Sequence, residues 1–302
     1  MRKPKALSGD AVVGVIAPAS PVREAFVADG VAELSRLGFR PKLGRNLYRR
    51  GRYTAGTPRE RLDDLNTLWD DPEVEAVFCA RGGYGSMDLL PHLEASRFSE
   101  NPKVLIGASD VTALLAYLGG VCGVVSFHGA MVAQEIARRR YDAAGLVRLL
   151  KRREPEGLLD ASGSEMLHSG TGEGQLVGGC LSMVASLLGT PYLPAFDDAI
   201  VFLEDTLVKP YQIDRMLTQL RLSGRLDSVR GIVFGQMARC EQHPEQGYTL
   251  QEMLHDWTAS LGVPVWFGFP SGHTTSDTVT LPFGVAARLD EHGLHLLEGA
   301  VS

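Results

Sequence analysis

Lys103–Leu118, KVLIGASDVTALLAYL, decides the fold. The apolar run Val104 to Gly107 predicts a buried strand, and Val111 to Leu118 predicts a helix that follows after only a short turn through Ala108 and Ser109. Such a turn lifts a hydroxyl above the sheet edge and aims the next amide and the helix N-terminus at developing negative charge. The same strand–helix alternation extends upstream. Ala11 to Ile16 reads as a first strand, Val22 to Leu37 as a helix and Arg40 to Leu43 as a second strand. Thr57-Pro58-Arg59-Glu60 then starts another helix, with an N-cap Thr, Pro at the first helical position and Glu for a capping box. Leu62, Leu65, Leu68 and Trp69 form its buried stripe, and Val74 to Ala80 is the next strand, ending in the Gly-rich loop Arg81 to Ser86. This is the pattern of an α/β domain with a parallel sheet. Ligands of such sheets lie beyond the carboxyl ends of the strands, so Ala17 to Pro21, Arg81 to Gly85 and Gly107 to Asp110 are expected to converge there.

Downstream the pattern weakens. Residues 1–136 are read as the first domain, 137–174 as a linker and 175–302 as a second domain. The linker holds the basic runs Arg138 to Arg140 and Lys151 to Arg153, but apolar Leu146, Val147, Leu149 and Leu150 interrupt them. A solvated helix face explains this better than a nucleic-acid patch. The second domain is predicted to contain a helix near Leu181 to Leu188, strands at Ala199 to Leu203 and Gly231 to Gly235, and a helix at Ile213 to Leu222.

The 302 residues carry a formal net charge of -6, so no global basic field attracts nucleic acid or an anionic membrane. An anionic ligand must be met by local groups. Four widely spaced cysteines, Cys79, Cys122, Cys180 and Cys240, contain no C-x-x-C pair and read as buried thiols of a reducing compartment. Cys240 and His243 have ligand-like spacing, but no second cluster completes a zinc set. Asp10 and the short apolar run argue against a signal peptide, and no stretch approaches the roughly 18 apolar residues of a membrane span. A cytoplasmic location is expected, with no metal and no cofactor.

Several residues are candidates for chemistry. Ser109 is placed as a nucleophile, although Ser and Asp at this position also serve as helix caps, and Val111 replaces the second glycine of a G-x-S-x-G elbow. A serine nucleophile needs a base near neutrality. His273, in the polar loop Phe269 to Ser276, is the leading candidate and His128 its rival. An acid that orients the imidazole is offered by Glu204 and Asp205, of which strand alternation lets only one face the site. Arg81-Gly82-Gly83-Tyr84-Gly85 can present bare amides to an oxyanion. A G-x-G-x-x-G dinucleotide fingerprint is absent, and Gly172 to Gly178 has the wrong spacing.

These pieces together resemble the LD-carboxypeptidases, which remove a terminal D-amino acid from peptidoglycan tetrapeptides. The resemblance runs in order through Ala17 to Pro21, Ala80 to Ser86, Gly107 to Leu114, Phe127-His128-Gly129, Gly178 to Ser182, Leu203-Glu204-Asp205, Tyr211 to Met216, Gly272-His273 and Leu281 to Gly284. It implies a Rossmann-like or flavodoxin-like parallel N-terminal domain and a smaller β-rich α/β C-terminal domain of swivelling type. It also implies a Ser109–His273–Glu204 triad, an oxyanion hole from the amides of Gly83 and Asp110, and a homodimer. Arg81 and Ser20 are the expected substrate contacts, Arg81 because its fork grips carboxylates. The expected partner is a muropeptide or related small peptide.

Ala108 and Val208 depart from the family pattern, where Tyr and an acid are common, and bear on pocket shape. One alternative is a microcin-immunity-type carboxypeptidase acting on aminoacyl-nucleotide peptides, which would need an aromatic platform for adenine. Tyr141 is the only aromatic between Ile136 and Gln175. The other is a non-catalytic muropeptide-binding protein, against which the retention of Ser109, Glu204 and His273 argues.

Overall fold

A computed structural model describes all 302 residues. The first half is built from β1 (Val12–Ile16), α1 (Glu24–Arg36), β2 (Arg40–Leu43), α2 (Pro58–Asp70), β3 (Val74–Cys79), α3 (Ala95–Glu100), β4 (Val104–Gly107), α4 (Thr112–Tyr117) and β5 (Ser126–His128). All five strands run parallel, in the spatial order β5-β4-β3-β1-β2. The residues of β1 and β4 are buried throughout, as expected of strands covered on both faces. On β1, Gly14 lets α2 settle close: a Cβ there would stand 3.0 Å from Leu68 Cδ1. The start of α2 is fixed by the capping box read from sequence, with Thr57 Oγ1 accepting the Glu60 amide at 3.2 Å and Glu60 Oε2 accepting the Thr57 amide at 2.9 Å.

The remainder comprises α5 (Ala143–Lys151), β6 (Gly157–Leu158), β7 (Glu165–His168), β8 (Gly172–Cys180), α6 (Leu181–Ser186), β9 (Ala199–Glu204), α7 (Pro210–Leu222), β10 (Gly231–Gly235), α8 (Leu250–Thr258), β11 (Val265–Phe269), β12 (Leu281–Phe283), β13 (Ala286–Asp290) and β14 (Gly293–Leu296). An eight-stranded sheet orders them β6-β14-β13-β8-β9-β10-β11-β7. Its centre, β8 to β11, is parallel, and antiparallel strands flank it.

Two features differ from the sequence reading. Residues 137–174, read as a linker, carry α5 and contribute β6 and β7 to opposite edges of the second sheet. These edge strands are short and partly exposed, so they lack the alternation that reveals a strand. Second, β12 leaves the C-terminal half and pairs antiparallel with β5, joining Leu281 to His128 and Phe283 to Ser126. The first sheet is therefore completed from the far end of the chain. In α5, Leu146, Leu149 and Leu150 are buried, while Val147 is only partly so. No helix is long and apolar enough to cross a membrane.

Candidate active site

The turn after β4 is shaped by close packing. At Gly107 a Cβ would stand 2.7 Å from Val111 Cγ1, so only glycine lets the chain fold back here. Ala108 is extended and Ser109 takes φ of 60°, a left-handed conformation that costs a non-glycine residue about 1–3 kcal/mol. Ser109 and Asp110 do not cap their own helix: neither the short 3₁₀ turn Ser109–Val111 nor α4 has a side-chain cap, and the Ser109 hydroxyl makes no hydrogen bond within the protein. The helix itself begins at Thr112, one residue later than the sequence predicts.

Asp110 instead ties this turn to the Gly-rich loop. Its carboxylate accepts the Gly85 amide at 3.3 Å and the Ser86 amide at 2.8 Å, while the Ser86 hydroxyl donates to the Asp110 carbonyl. The loop lies directly against the serine, since a Cβ on Gly82 would stand 2.8 Å from Ser109 Cβ. The main-chain amides of Gly83 and Asp110 donate to no group of the protein. Ser20 lies beside the same loop, its Oγ 2.3 Å from the position of a Gly83 Cβ. Its hydroxyl donates to the Tyr53 carbonyl at 2.8 Å and accepts the Tyr84 amide at 3.1 Å, so it braces the loop. Arg81 donates through Nη1 to the Pro21 carbonyl at 3.1 Å, leaving its buried Nε without a partner.

The second half supplies the histidine and the acid. Glu204 ends β9, fully buried, in register with Cys180 of β8. Its Oε2 accepts from His273 twice, from the ring Nδ1 at 2.8 Å and from the main-chain amide at 2.9 Å. Gly272 makes this approach possible, with φ of 79° and a Cβ position only 2.4 Å from Glu204 Cδ. A carboxylate is acceptor-only, so Nδ1 carries the proton and Nε2 is left free. Asp205 faces elsewhere, accepting the amides of Ser182 and Thr206 at 2.8 Å each.

Electrostatics follow from burial and pairing. Burial alone would raise the Glu204 carboxyl, but the charge and hydrogen bonds of His273 hold it below the ordinary range. Burial alone would lower His273, yet the Glu204 charge and hydrogen bond leave it above the ordinary histidine value. His128, the rival base, is sealed beneath the site. Its Nε2 lies 4.0 Å from Glu204 Oε1, neither ring nitrogen has a hydrogen-bond partner, and burial pushes its pKa down to about 4. It is therefore a neutral core residue between Phe202 and Phe283.

Ser109 and His273 come from different sheets, and no hydrogen bond joins them. Their neighbourhoods meet at two points. Thr112 Oγ1 accepts the Cys180 amide at 3.1 Å, and His128, the partner of Gly107 in the first sheet, reaches Glu204 in the second. Beside His273 opens a cavity of about 300 Å³ lined by Glu135, Arg138, Arg140 and Arg239, among others. Glu135 and Arg138 escaped the sequence reading because Arg138 sat in a run interpreted as solvated charge. A larger hollow of about 770 Å³ between β7 and α8 holds none of the candidate residues. No group of three or more His, Cys, Asp or Glu side chains is arranged to hold a metal ion. Cys240 and His243 in particular do not pair; Cys240 Sγ faces the Ala238 carbonyl and His243 accepts from the Glu245 amide.

Comparison with known proteins gives a consistent result. Residues 13–129 match the profile of the LD-carboxypeptidase N-terminal domain and residues 173–289 that of the LD-carboxypeptidase C-terminal domain. A probable murein peptide carboxypeptidase of Bacillus subtilis is 36% identical over 292 residues, covering 95% of this chain and 91% of the relative. The microcin C7 self-immunity protein of Escherichia coli is 27% identical over 308 residues, covering 91% and 88%. The crystal structure of muramoyltetrapeptide carboxypeptidase from Oxalobacter formigenes superimposes with a TM-score of 0.84 at 29% identity, covering 95% of this chain and 98% of that one.

Proposed function

The chain belongs to the LD-carboxypeptidase family of peptidases, and from that premise we propose that it is a serine carboxypeptidase hydrolysing the L,D-peptide bond before the terminal D-Ala of muropeptide tetrapeptides. The observation that carries the reading is the double hydrogen bond from His273 to the buried Glu204, which fixes the imidazole with Nε2 free.

In this mechanism Ser109 Oγ attacks the scissile carbonyl while His273 Nε2 takes its proton. The tetrahedral oxyanion is met by the unengaged amides of Asp110 and Gly83. Collapse breaks the C–N bond, and His273 returns the proton to the departing D-Ala amine. Water, deprotonated by the same nitrogen, then hydrolyses the acyl-serine. Glu204 remains ionised throughout, holding the Nδ1–H tautomer and stabilising the imidazolium. Ser109 and His273 form their hydrogen bond in the substrate complex, because such contacts are commonly long in unliganded enzymes. No step calls for a metal or cofactor.

A peptidoglycan-recycling enzyme acting in the cytoplasm as a homodimer fits this reading, and four free, buried thiols accord with a reducing compartment. Action on aminoacyl-nucleotide peptides has less support. Tyr141, the only aromatic of the intervening segment, is buried and donates its hydroxyl to Glu33, so it offers no stacking face. The test is incubation of the purified protein with muramoyl tetrapeptide, with free D-Ala measured by mass spectrometry in the presence and absence of a chelator. Release of D-Ala that chelator leaves unchanged is expected. No release would sink the activity, and loss with chelator would sink the metal-free mechanism.

A further inference from the structure

Adjoining the His273 cavity lies a second one of about 350 Å³, lined by Val22, Arg23, Phe26, Arg81, Ala133, Gln134 and Arg138. Arg138 and Gln134 line both, so the two cavities abut. Three guanidinium groups face this second space and no acidic side chain does. None of the three makes an ion pair anywhere in the protein, whereas their neighbour Arg139 pairs with Glu33 at 2.9 Å. Arg138 and Arg23 are held over the ring of Phe26, with Cζ 5.3 Å and 5.9 Å from its centroid.

Like charges gathered without an ion-pair partner repel one another; the acid that reaches Arg138, Glu135, lines only the adjoining cavity, and burial raises its carboxyl towards the neutral form. Such an arrangement is compensated when an anion enters. We propose that Arg23, Arg81 and Arg138 form a carboxylate-binding subsite that anchors the free C-terminus of the substrate. This rests on the hydrolytic reading above and adds to it the feature that makes the enzyme an exopeptidase.

Position selects the terminal carboxylate among those of a muropeptide. Arg81 immediately precedes Gly82, which touches Ser109, and its Nη2 lies 3.8 Å from the position of a Gly83 Cβ. A C-terminal carboxylate lies one residue, about 3.8 Å of chain, beyond the scissile carbonyl. A guanidinium beside the candidate oxyanion hole is thus at the right remove to grip it. Arg81 Nη2, which is not engaged within the protein, and the exposed side chains of Arg23 and Arg138 supply donors suited to planar, bidentate recognition.

The experiment uses the full-length Ser109→Ala protein and calorimetry with three ligands: the tetrapeptide with a free C-terminus, its C-terminal amide, and the free acid with lysine in place of diaminopimelate. The free acid is expected to bind about 10- to 100-fold more tightly than the amide. Arg138→Gln should abolish that preference by weakening the acid far more than the amide, and Arg138→Lys should restore part of it. Equal binding of acid and amide, binding of neither, or an Arg138→Gln variant that weakens both alike would overturn the inference. So would a preference that follows the second carboxylate of diaminopimelate instead of the terminus. D-Ala release by the unmodified enzyme scores the hydrolytic reading separately: release without acid preference removes the subsite alone, and acid preference without release removes the activity alone.

Discussion

One oxygen of Glu204 receives both the ring Nδ1 and the main-chain amide of His273, at 2.8 and 2.9 Å. The imidazole is thereby fixed in position and tautomer by a single buried carboxylate. It is also made more basic, and this has a kinetic consequence.

His273 must be neutral to accept the serine proton, and its pKa lies above the ordinary 6.5 because Glu204 favours the charged form. The logarithm of kcat/KM should therefore rise with pH and level off at an apparent pKa above 6.5. Glu204→Gln removes the charge, so the rising limb should move to lower pH while the plateau falls by about 10⁴-fold. A pH–rate profile of both proteins tests this; an unmoved limb would detach Glu204 from His273.

Ser109→Gly should separate function from stability. Losing the hydroxyl should reduce D-Ala release by several orders of magnitude, as for other triads. Because the native φ is 60°, glycine should raise unfolding free energy by about 1 kcal/mol. Denaturant titration and activity together decide the matter: a destabilised but active variant would make Ser109 a structural residue.

The contact of Gly82 with Ser109 predicts a defect at a residue that has no chemistry of its own. Gly82→Ala forces a methyl to 2.8 Å from the Ser109 Cβ, and one side must move. A displacement of this order costs about 100-fold in rate. The expected result is a lower kcat with thermal unfolding little changed.

His128 predicts acid sensitivity. Its folded pKa, pushed down to about 4 by burial, lies below the ordinary 6.5, so the unfolded chain binds more protons between these values. The stability it contributes is present above pH 6.5 and is lost as pH falls towards 4, by about 3 kcal/mol. Replacement by phenylalanine, between Phe202 and Phe283, should flatten that part of the pH–stability curve. Parallel curves for the two proteins would show that His128 is not the acid-labile group.

Much of this was readable in the amino-acid order. The capping box at Thr57 and the limits of β2, β4 and β10 follow from local pattern and turn chemistry, which act within a few residues. What stayed hidden depends on partners far away in sequence. β12 contains Pro282 at its centre, a residue tolerated because this strand pairs on one side only, with β5. The choice between Glu204 and Asp205 was open from strand alternation alone; in three dimensions only Glu204 meets His273. The left-handed turn at Ser109 had no sequence signal, since Val111 stands where an elbow glycine would announce it. Arg138 reads as solvated charge and is indeed exposed; that it shares one cavity wall with His273 and another with Arg81 is a property of the fold.

The return of β12 to the first sheet has a consequence for biosynthesis. Domains form in order as a chain emerges, the N-terminal part first. Here the serine turn emerges early, but the Glu204–His273 pair waits for residue 273 and the last edge of the serine's own sheet for Leu281–Phe283. A nascent chain thus carries the proposed nucleophile without its proposed base, on a sheet with an open edge. In the proposed mechanism, reactivity is thus withheld until the segment Leu281–Phe283 has been made.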